Sequence, residues 1–151
     1  MLRLSRKTML ALEAVIDIAY NSGSDPVQAK EITARQGVPH RYLEQVMQQL
    51  VRAGILKGVR GPRGGYRLAR ERKRISVGDV VRVAMSVDAN GEHFDGGSEL
   101  GRRVVMPLMA SLQSGVMEKL NEISIEDICQ RARASGLDCG AGGQGAADFA
   151  L

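Results

Sequence analysis

Apolar residues recur three and four positions apart along the first third of the chain, and this spacing predicts three helices. The first helix is predicted over Arg6–Asn21, where a cluster of Ser, Gly, Asp and Pro stops it. A short second helix over Ala29–Gln36 ends at Gly37, a residue that suits a left-handed cap. The third, residues 39–53, has an apolar stripe and an opposite polar face, with Pro39 at its first position.

The following stretch changes to strand-like residues interrupted by glycines. Residues 55–60 and 66–68 predict two short strands, and the five residues between them favour a hairpin tip because they include three glycines and one proline. Ser76 is predicted to cap a short helix that reaches Met85. Residues 88–101 have no periodicity and are rich in glycine and polar residues, so they predict a loop.

A long helix over residues 104–123 is predicted from a nearly continuous apolar seam, in which Pro107 fits only near the helix start or at a kink. Such a seam would be an aggregation hazard in a monomer, so we expect two copies to pack through it. Ser124 is predicted to cap a last helix over residues 125–134. The seam consists of Val105, Leu108, Met109, Leu112, Val116, Leu120 and Ile123.

These elements predict a mainly α fold with a small β-hairpin, arranged as a winged helix-turn-helix domain plus a long dimerisation helix. The predicted parts are the winged domain over 1–86, a loop over 87–103, dimerisation helices over 104–134 and a disordered, glycine-rich tail over 135–151. No apolar run approaches the ~18 residues of a membrane span, and no secretory segment follows the first residues. We therefore expect a cytoplasmic protein without a membrane partner.

The net charge of +4 conceals an uneven distribution of charge along the chain. Residues 1–74 contain 15 Lys and Arg against 6 Asp and Glu, a balance of +9, whereas residues 75–151 contain 6 against 11, a balance of −5. Basic charge concentrated in one half is typical of a protein that binds a polyanion. Charge alone leaves an ordinary solvated surface as the alternative.

The polar face of the third helix and the hairpin together favour double-stranded DNA as the polyanion. A helix fits the major groove, where Arg suits guanine, Gln suits adenine and Glu accepts from the cytosine amino group. A glycine-rich hairpin with arginines suits the narrow minor groove. The helix alone would also fit an ordinary amphipathic surface helix. The candidate residues are His40, Arg41, Glu44 and Gln45 on the helix, and Arg60, Arg63 and Arg67 on the hairpin.

Three stretches of the winged domain carry a family resemblance: residues 34–38 (ARQGV), residues 42–45 (YLEQ) and residues 59–66 (VRGPRGGY). They resemble the IscR/NsrR/CymR family of bacterial winged helix-turn-helix transcription regulators, also called the "Rrf-two" family, and most of all its IscR members. The resemblance covers about residues 2–134 and includes VGDVV at 77–81 and LNEI at 120–123. It implies a homodimeric regulator, in this case a repressor, with control of iron-sulfur cluster or iron metabolism genes as one expectation.

The resemblance also implies roles for particular residues. It places Glu44 and Gln45 at base-reading positions and Arg60 at a minor-groove position, with Lys7 and Tyr42 as phosphate contacts. Arg41 is bulkier and more basic than the small residue usual in the IscR members. We therefore expect a different operator preference at that position.

The loop over 87–103 is where the family often holds an iron-sulfur cluster, with three cysteines and often a histidine as ligands. Residues 88–103 of this chain contain no cysteine. Arg103 and Met106 stand where the IscR members have a cysteine and a histidine. A standard three-cysteine site is therefore excluded.

Three interpretations of sensing stay open. One is a labile iron-sulfur cluster on Cys129, with the remaining ligands drawn from the loop; its alternative is a buried structural thiol. The others are a cluster-free regulator that responds to a small molecule or partner protein, as in CymR-like members, and a regulator that has lost its sensor. The loop donors considered are His93, Asp95, Ser98 and Glu99, and Cys139 lies in the tail.

An enzyme is disfavoured by the sequence. It contains no nucleotide-binding loop, no paired metal motif and only two histidines. The competing class is a protein-interaction module, in which the winged domain and long helix bind a regulatory partner protein rather than DNA. Salt-dependent binding to duplex DNA separates the two classes.

Overall fold

A computed structural model describes residues 4–23, 25–87 and 97–137 of the chain. The predicted loop over 88–96, with His93 and Asp95, and tail residues 138–151, with Cys139, lie outside the described residues. The helices are α1 (Arg6–Asn21), α2 (Ala29–Gln36), α3 (His40–Arg52), α4 (Val77–Val87), α5 (Met106–Glu122) and α6 (Ile125–Ala134). The strands β1 (Leu56–Val59) and β2 (Gly65–Leu68) form one antiparallel hairpin.

The predicted limits of α1, α2 and α6 are confirmed, since capping residues fix these helices locally. Ser5 and Ser124 accept hydrogen bonds from the backbone at the starts of α1 and α6, and Gly37 has a φ of 67° after α2. Pro39 is the N-cap of α3, with a ψ of 131°, and not its first helical residue as predicted. Helix α4 extends to Val87, two residues beyond the predicted end.

One core lies between α1, α2, α3, α4 and the hairpin. Val15, Ile18, Leu43 and Leu50 are fully buried in it. Helix α6 adds Ile125 and Cys129 to the same core, although the sequence grouped it with the long helix. Helix α6, which follows α5, is therefore packed against the winged domain.

An ion pair between a buried carboxylate and a partly exposed arginine joins α1 to α2. Arg35 donates from Nε and Nη2 to the two carboxylate oxygens of Asp17, at 2.9 and 2.7 Å, and Gln36 Nε2 donates to Asp17 Oδ2 at 2.8 Å. The Asp17 side chain is fully buried. The hydrogen bond to Asp17 raises the pKa of Arg35, and partial burial of the guanidinium acts in the opposite direction. The ARQGV stretch of the sequence thus serves to fix the helix-turn-helix.

The hairpin lies close to the start of α2 because Gly65 allows it. Val27 and Tyr66 form a two-way backbone bridge, with N–O distances of 3.0 and 2.7 Å. A Cβ atom on Gly65 would lie 2.4 Å from the Val27 carbonyl oxygen, which is closer than real atoms approach. At the tip, Gly61 has a φ of 114°, a conformation that side-chain-bearing residues rarely adopt. These glycines set the position of the wing.

The joint between α4 and α5 depends on another close approach. A Cβ atom on Gly78 would lie 1.9 Å from Asn121 Oδ1. Arg82 Nη2 donates to the same oxygen at 2.7 Å, and the backbones of Ser76 and Ser124 form an antiparallel bridge nearby. The VGDVV and LNEI stretches therefore pack against each other and connect the winged domain to α5.

The residues directly before α5 are helical, where the sequence predicted a loop up to residue 101. Residues 99–100 are helical and continue into a π-helical turn, Gly101–Val105, in which Met106 N–H donates to the Gly101 carbonyl. Pro107 follows in the first turn of α5. A proline has no N–H and crowds the preceding carbonyls, and the wider π turn accommodates it without ending the helix.

Candidate nucleic-acid interface

Helix α3 separates an apolar face from a polar one, as predicted. Leu43, Val46 and Met47 are fully buried, which holds the helix against the core. The residues of the opposite face are all exposed, and no side chain caps the helix start at Pro39. The exposed residues are His40, Arg41, Glu44 and Gln45. Such a face with an uncapped N-terminus suits base edges and a neighbouring phosphate.

Glu44 is paired with His40 on this face. His40 Nε2 and Glu44 Oε1 are 2.9 Å apart, and the two side chains are 61% and 60% exposed. An exposed pair of this kind is weak because water and salt screen it. Glu44 can therefore leave His40 for a base amino group at little cost.

The starts of α1 and α3 border a shallow, basic cleft. It is lined by Arg6 and Lys7 from α1 and by Arg41, Tyr42 and Gln45 from α3. Tyr42 is largely buried, and its hydroxyl donates to the Lys7 carbonyl oxygen. Since a phosphate only accepts hydrogen bonds, Tyr42 would have to release Lys7 to donate to one. A phosphate contact by Tyr42 stays a prediction, while its link between the two helices is observed.

The wing arginines differ in their surroundings. Arg60 and Arg63 are exposed at the hairpin tip. Arg67 is half-buried, and its Nη1 donates to the Gly23 carbonyl oxygen at 3.1 Å. Arg60 and Arg63 are thus better placed than Arg67 to reach a separate molecule.

Sequence reasoning missed two residues, Arg6, which lines the cleft, and the buried Asp17, which fixes the position of α2. Arg6 lies beside Lys7 at the cleft. The sequence feature that could have revealed it is the pair of adjacent basic residues at positions 6 and 7. Asp17 holds α2 in place. The sequence feature that could have revealed this role is a single carboxylate on the apolar side of α1, between Ala14 and Ile18. A charge at such a position needs a partner, and its partner follows 18 residues later.

The described residues do not fit an iron-sulfur cluster. Cys129 is a free cysteine and fully buried; burial raises the pKa of its thiol, and the nearby Arg72 acts in the opposite direction. Ser98 caps the Gly101 N–H at 3.0 Å, and Glu99 lies 4.0 Å from Arg103 in an exposed ion pair. Within 4–23, 25–87 and 97–137, no three His, Cys, Asp or Glu residues group as a metal site. Ligation by Cys129 stays a prediction that its burial does not support, and ligation by His93 stays a prediction because His93 lies outside the described residues.

Cys129 is expected to resist iodoacetamide in the folded protein and to react after unfolding in urea. The thiolate is the reactive form, and burial both disfavours it and excludes the reagent. Mass spectrometry of the peptide that contains Cys129, in a Cys139→Ser background, measures the protection. Equal labelling in buffer and in urea would show that the thiol is accessible.

The described part of the chain contains no helix that is long and apolar enough to cross a membrane.

Comparisons with known proteins agree with this geometry. The sequence model of the Rrf2 family, described as "Iron-dependent Transcriptional regulator", matches residues 4–131. The HTH-type transcriptional regulator IscR of Vibrio cholerae is 37% identical over 129 residues, which cover 84% of this chain and 75% of IscR. IscR of Escherichia coli is 36% identical over the same length, covering 80% of that protein.

Solved structures show the same fold. T. potens IscR superposes with a TM-score of 0.70 at 33% identity, covering 95% of this chain and 94% of the other. The global cysteine regulator CymR of B. subtilis gives a TM-score of 0.67 at 30% identity, covering 87% and 98%. The predicted fold class is confirmed, and the names of these relatives support a regulator rather than an enzyme.

Proposed function

Because this chain belongs to the Rrf2 family of transcriptional regulators, we propose that it acts as a homodimer that represses transcription from a DNA operator. It is a DNA-binding transcription regulator and not an enzyme. The observation that carries the proposal is the exposed polar face of α3 beside a basic cleft and a basic wing. Control of iron-sulfur cluster or iron metabolism genes stays a prediction.

In the proposed complex, the first turns of α3 enter the major groove. Arg41, Glu44 and Gln45 then face base edges, while Lys7 and the start of α3 face a phosphate. The wing reaches the minor groove with Arg60 and Arg63, because a glycine-rich tip lets its backbone approach the duplex closely.

The proposed dimer forms through α5. None of the residues of α5 is fully buried within one subunit, but Leu120 and the following Ile123 pack partly against the winged-domain core, so the exposed part of the predicted seam runs from Val105 to Val116. Leu108 and Leu112 are 56% and 47% exposed, and Val104 precedes them at 55%. A second copy of α5 would cover this seam. The two α3 helices of the dimer, termed the reading helices, would then meet two half-sites about one helical turn of DNA apart.

Arg60→Ala is expected to weaken operator binding by roughly 1–3 kcal/mol, the range for one arginine contact to DNA. The substitution removes the proposed contact of the guanidinium with the negative minor groove, and among the described residues Arg60 is exposed at the hairpin tip. Fluorescence anisotropy with a duplex selected by the protein itself, at several salt concentrations, measures the change.

The matched control is Arg131→Ala, which removes an exposed arginine from α6. It should leave the affinity unchanged. Equal affinities of wild type, control and Arg60→Ala would remove Arg60 from the interface.

Glu44→Ala is expected to change which sequences bind more than how tightly DNA binds in general. A carboxylate among phosphates is repelled unless it meets a base amino group, so it acts mainly by excluding wrong bases. Selection from random duplexes should return a relaxed motif for Glu44→Ala. The motif of Gln48→Ala, an exposed residue one turn further along α3, should match the wild type. The same motif from all three proteins would contradict a reading role for Glu44.

A further inference from the structure

We propose that this chain binds its operator without iron, although the model of its family is described as iron-dependent. The inference concerns the regulation of the proposed DNA-binding function and rests on that function. Three observations on this chain support it: the place of its buried cysteine, the groups that stand before α5, and the contacts that order the reading helix.

Cys129 cannot reach a cluster while α6 is folded. The helix is fixed at its start by reciprocal hydrogen bonds between Ser124 and Asp127, and Ile125 N–H donates to the Ile75 carbonyl at 2.8 Å. Ile125 is itself fully buried one turn before Cys129. Turning the thiol outward would therefore remove a buried isoleucine and a buried cysteine from the core together. Iron also binds the thiolate, the form that burial disfavours.

The segment before α5 is built from groups that serve the helix instead of a metal. Ser98 caps Gly101, and Glu99 pairs with Arg103. Arg102 adds a second positive charge to the same turn. The sequence from 88 to 103 supplies no sulfur, the ligand atom that holds iron-sulfur clusters.

The reading helix is ordered by contacts within the winged domain. The Asp17 pair holds α2 against α1, the Tyr42 hydroxyl holds α3 against α1, and Leu43 and Leu50 lie in the core. None of these contacts involves the π-helical turn, which continues directly into α5. The described contacts therefore give the reading surface its shape without any ligand in the segment before α5.

The test uses the full chain, purified anaerobically and then treated with ferrous iron and sulfide. Bound iron and acid-labile sulfide are assayed, and affinity for a duplex selected by the protein is measured before and after an iron chelator. We expect no stoichiometric sulfide, no visible absorbance, and affinities that agree within about twofold. Stoichiometric sulfide, or a tenfold change in affinity on chelation, would overturn the inference.

Two variants separate the possible ligands from a folding effect. Cys139→Ser and Cys129→Ala should both bind the duplex as the wild type does, with and without iron, and circular dichroism verifies that each is folded. Iron-dependent binding that either variant abolishes would overturn iron independence while leaving the proposed DNA binding intact. Absence of duplex binding in every condition would instead overturn the proposed function and this inference together.

Discussion

Replacing Arg35 with alanine is expected to lower the free energy of unfolding by about 2–3 kcal/mol, less than the ~3–5 kcal/mol for breaking a fully buried ion pair by removing one partner. The substitution leaves the Asp17 carboxylate, whose side chain is fully buried, with Gln36 as its remaining side-chain donor. Since Arg35 itself is partly exposed, some water would reach the carboxylate, which places the effect below that of a fully buried pair. Urea unfolding followed by circular dichroism measures the change.

A double-mutant cycle tests the cause. Adding Asp17→Ala to Arg35→Ala removes the uncompensated carboxylate, so the double variant should be more stable than Arg35→Ala alone. Arg52→Ala, which removes an exposed arginine at the end of α3, is the control and should change stability by less than about 0.5 kcal/mol. A double variant as unstable as the sum of the single variants would refute the pair as the cause.

The second large effect is expected from Leu112→Glu, which should convert the proposed dimer into monomers. Leu112 lies in the middle of the exposed seam of α5, and the symmetric interface would bring two buried carboxylates together without partners. Sedimentation velocity should give one species of half the mass, and operator affinity should fall by orders of magnitude because one subunit contacts only one half-site.

Ser114→Glu introduces the same charge on the same helix, about half a turn away from the seam. It should remain dimeric, and both variants should keep the helix content and unfolding midpoint of a folded chain. A dimeric Leu112→Glu protein would show that the seam is not the dimer interface.

Local sequence signals determined most of the helix limits. Ser5, Ser124 and Gly37 act on backbone groups within one turn of themselves, so their effects can be predicted from a few neighbouring residues. The same holds for α3, whose two faces follow from the helical repeat alone. The sequence therefore named the exposed residues of the reading helix correctly, although their contacts with DNA stay predictions.

The signals were insufficient where two local preferences compete. Pro39 suits both a first helical position and an N-cap, and the structure gives it a ψ of 131°, outside the helix. The glycines before α5 predicted a loop to residue 101, yet helical structure begins at residue 99 and passes through a π turn before Pro107. Glycine and other weak helix formers adopt helical structure here because they extend α5, so that no new helix has to be nucleated.

What the sequence by itself determined is the order of the elements, the division into a basic and an acidic half, and the side-chain chemistry available to read DNA. Only the tertiary structure decided that Arg35 pairs with Asp17, 18 residues earlier, and that the Tyr42 hydroxyl donates to the Lys7 carbonyl, 35 residues earlier. It also decided that Cys129 lies in the core, the structural alternative to a ligand role. The physical reason is range: capping and periodicity act within a turn or two, whereas burial and pairing depend on which distant segments share the core.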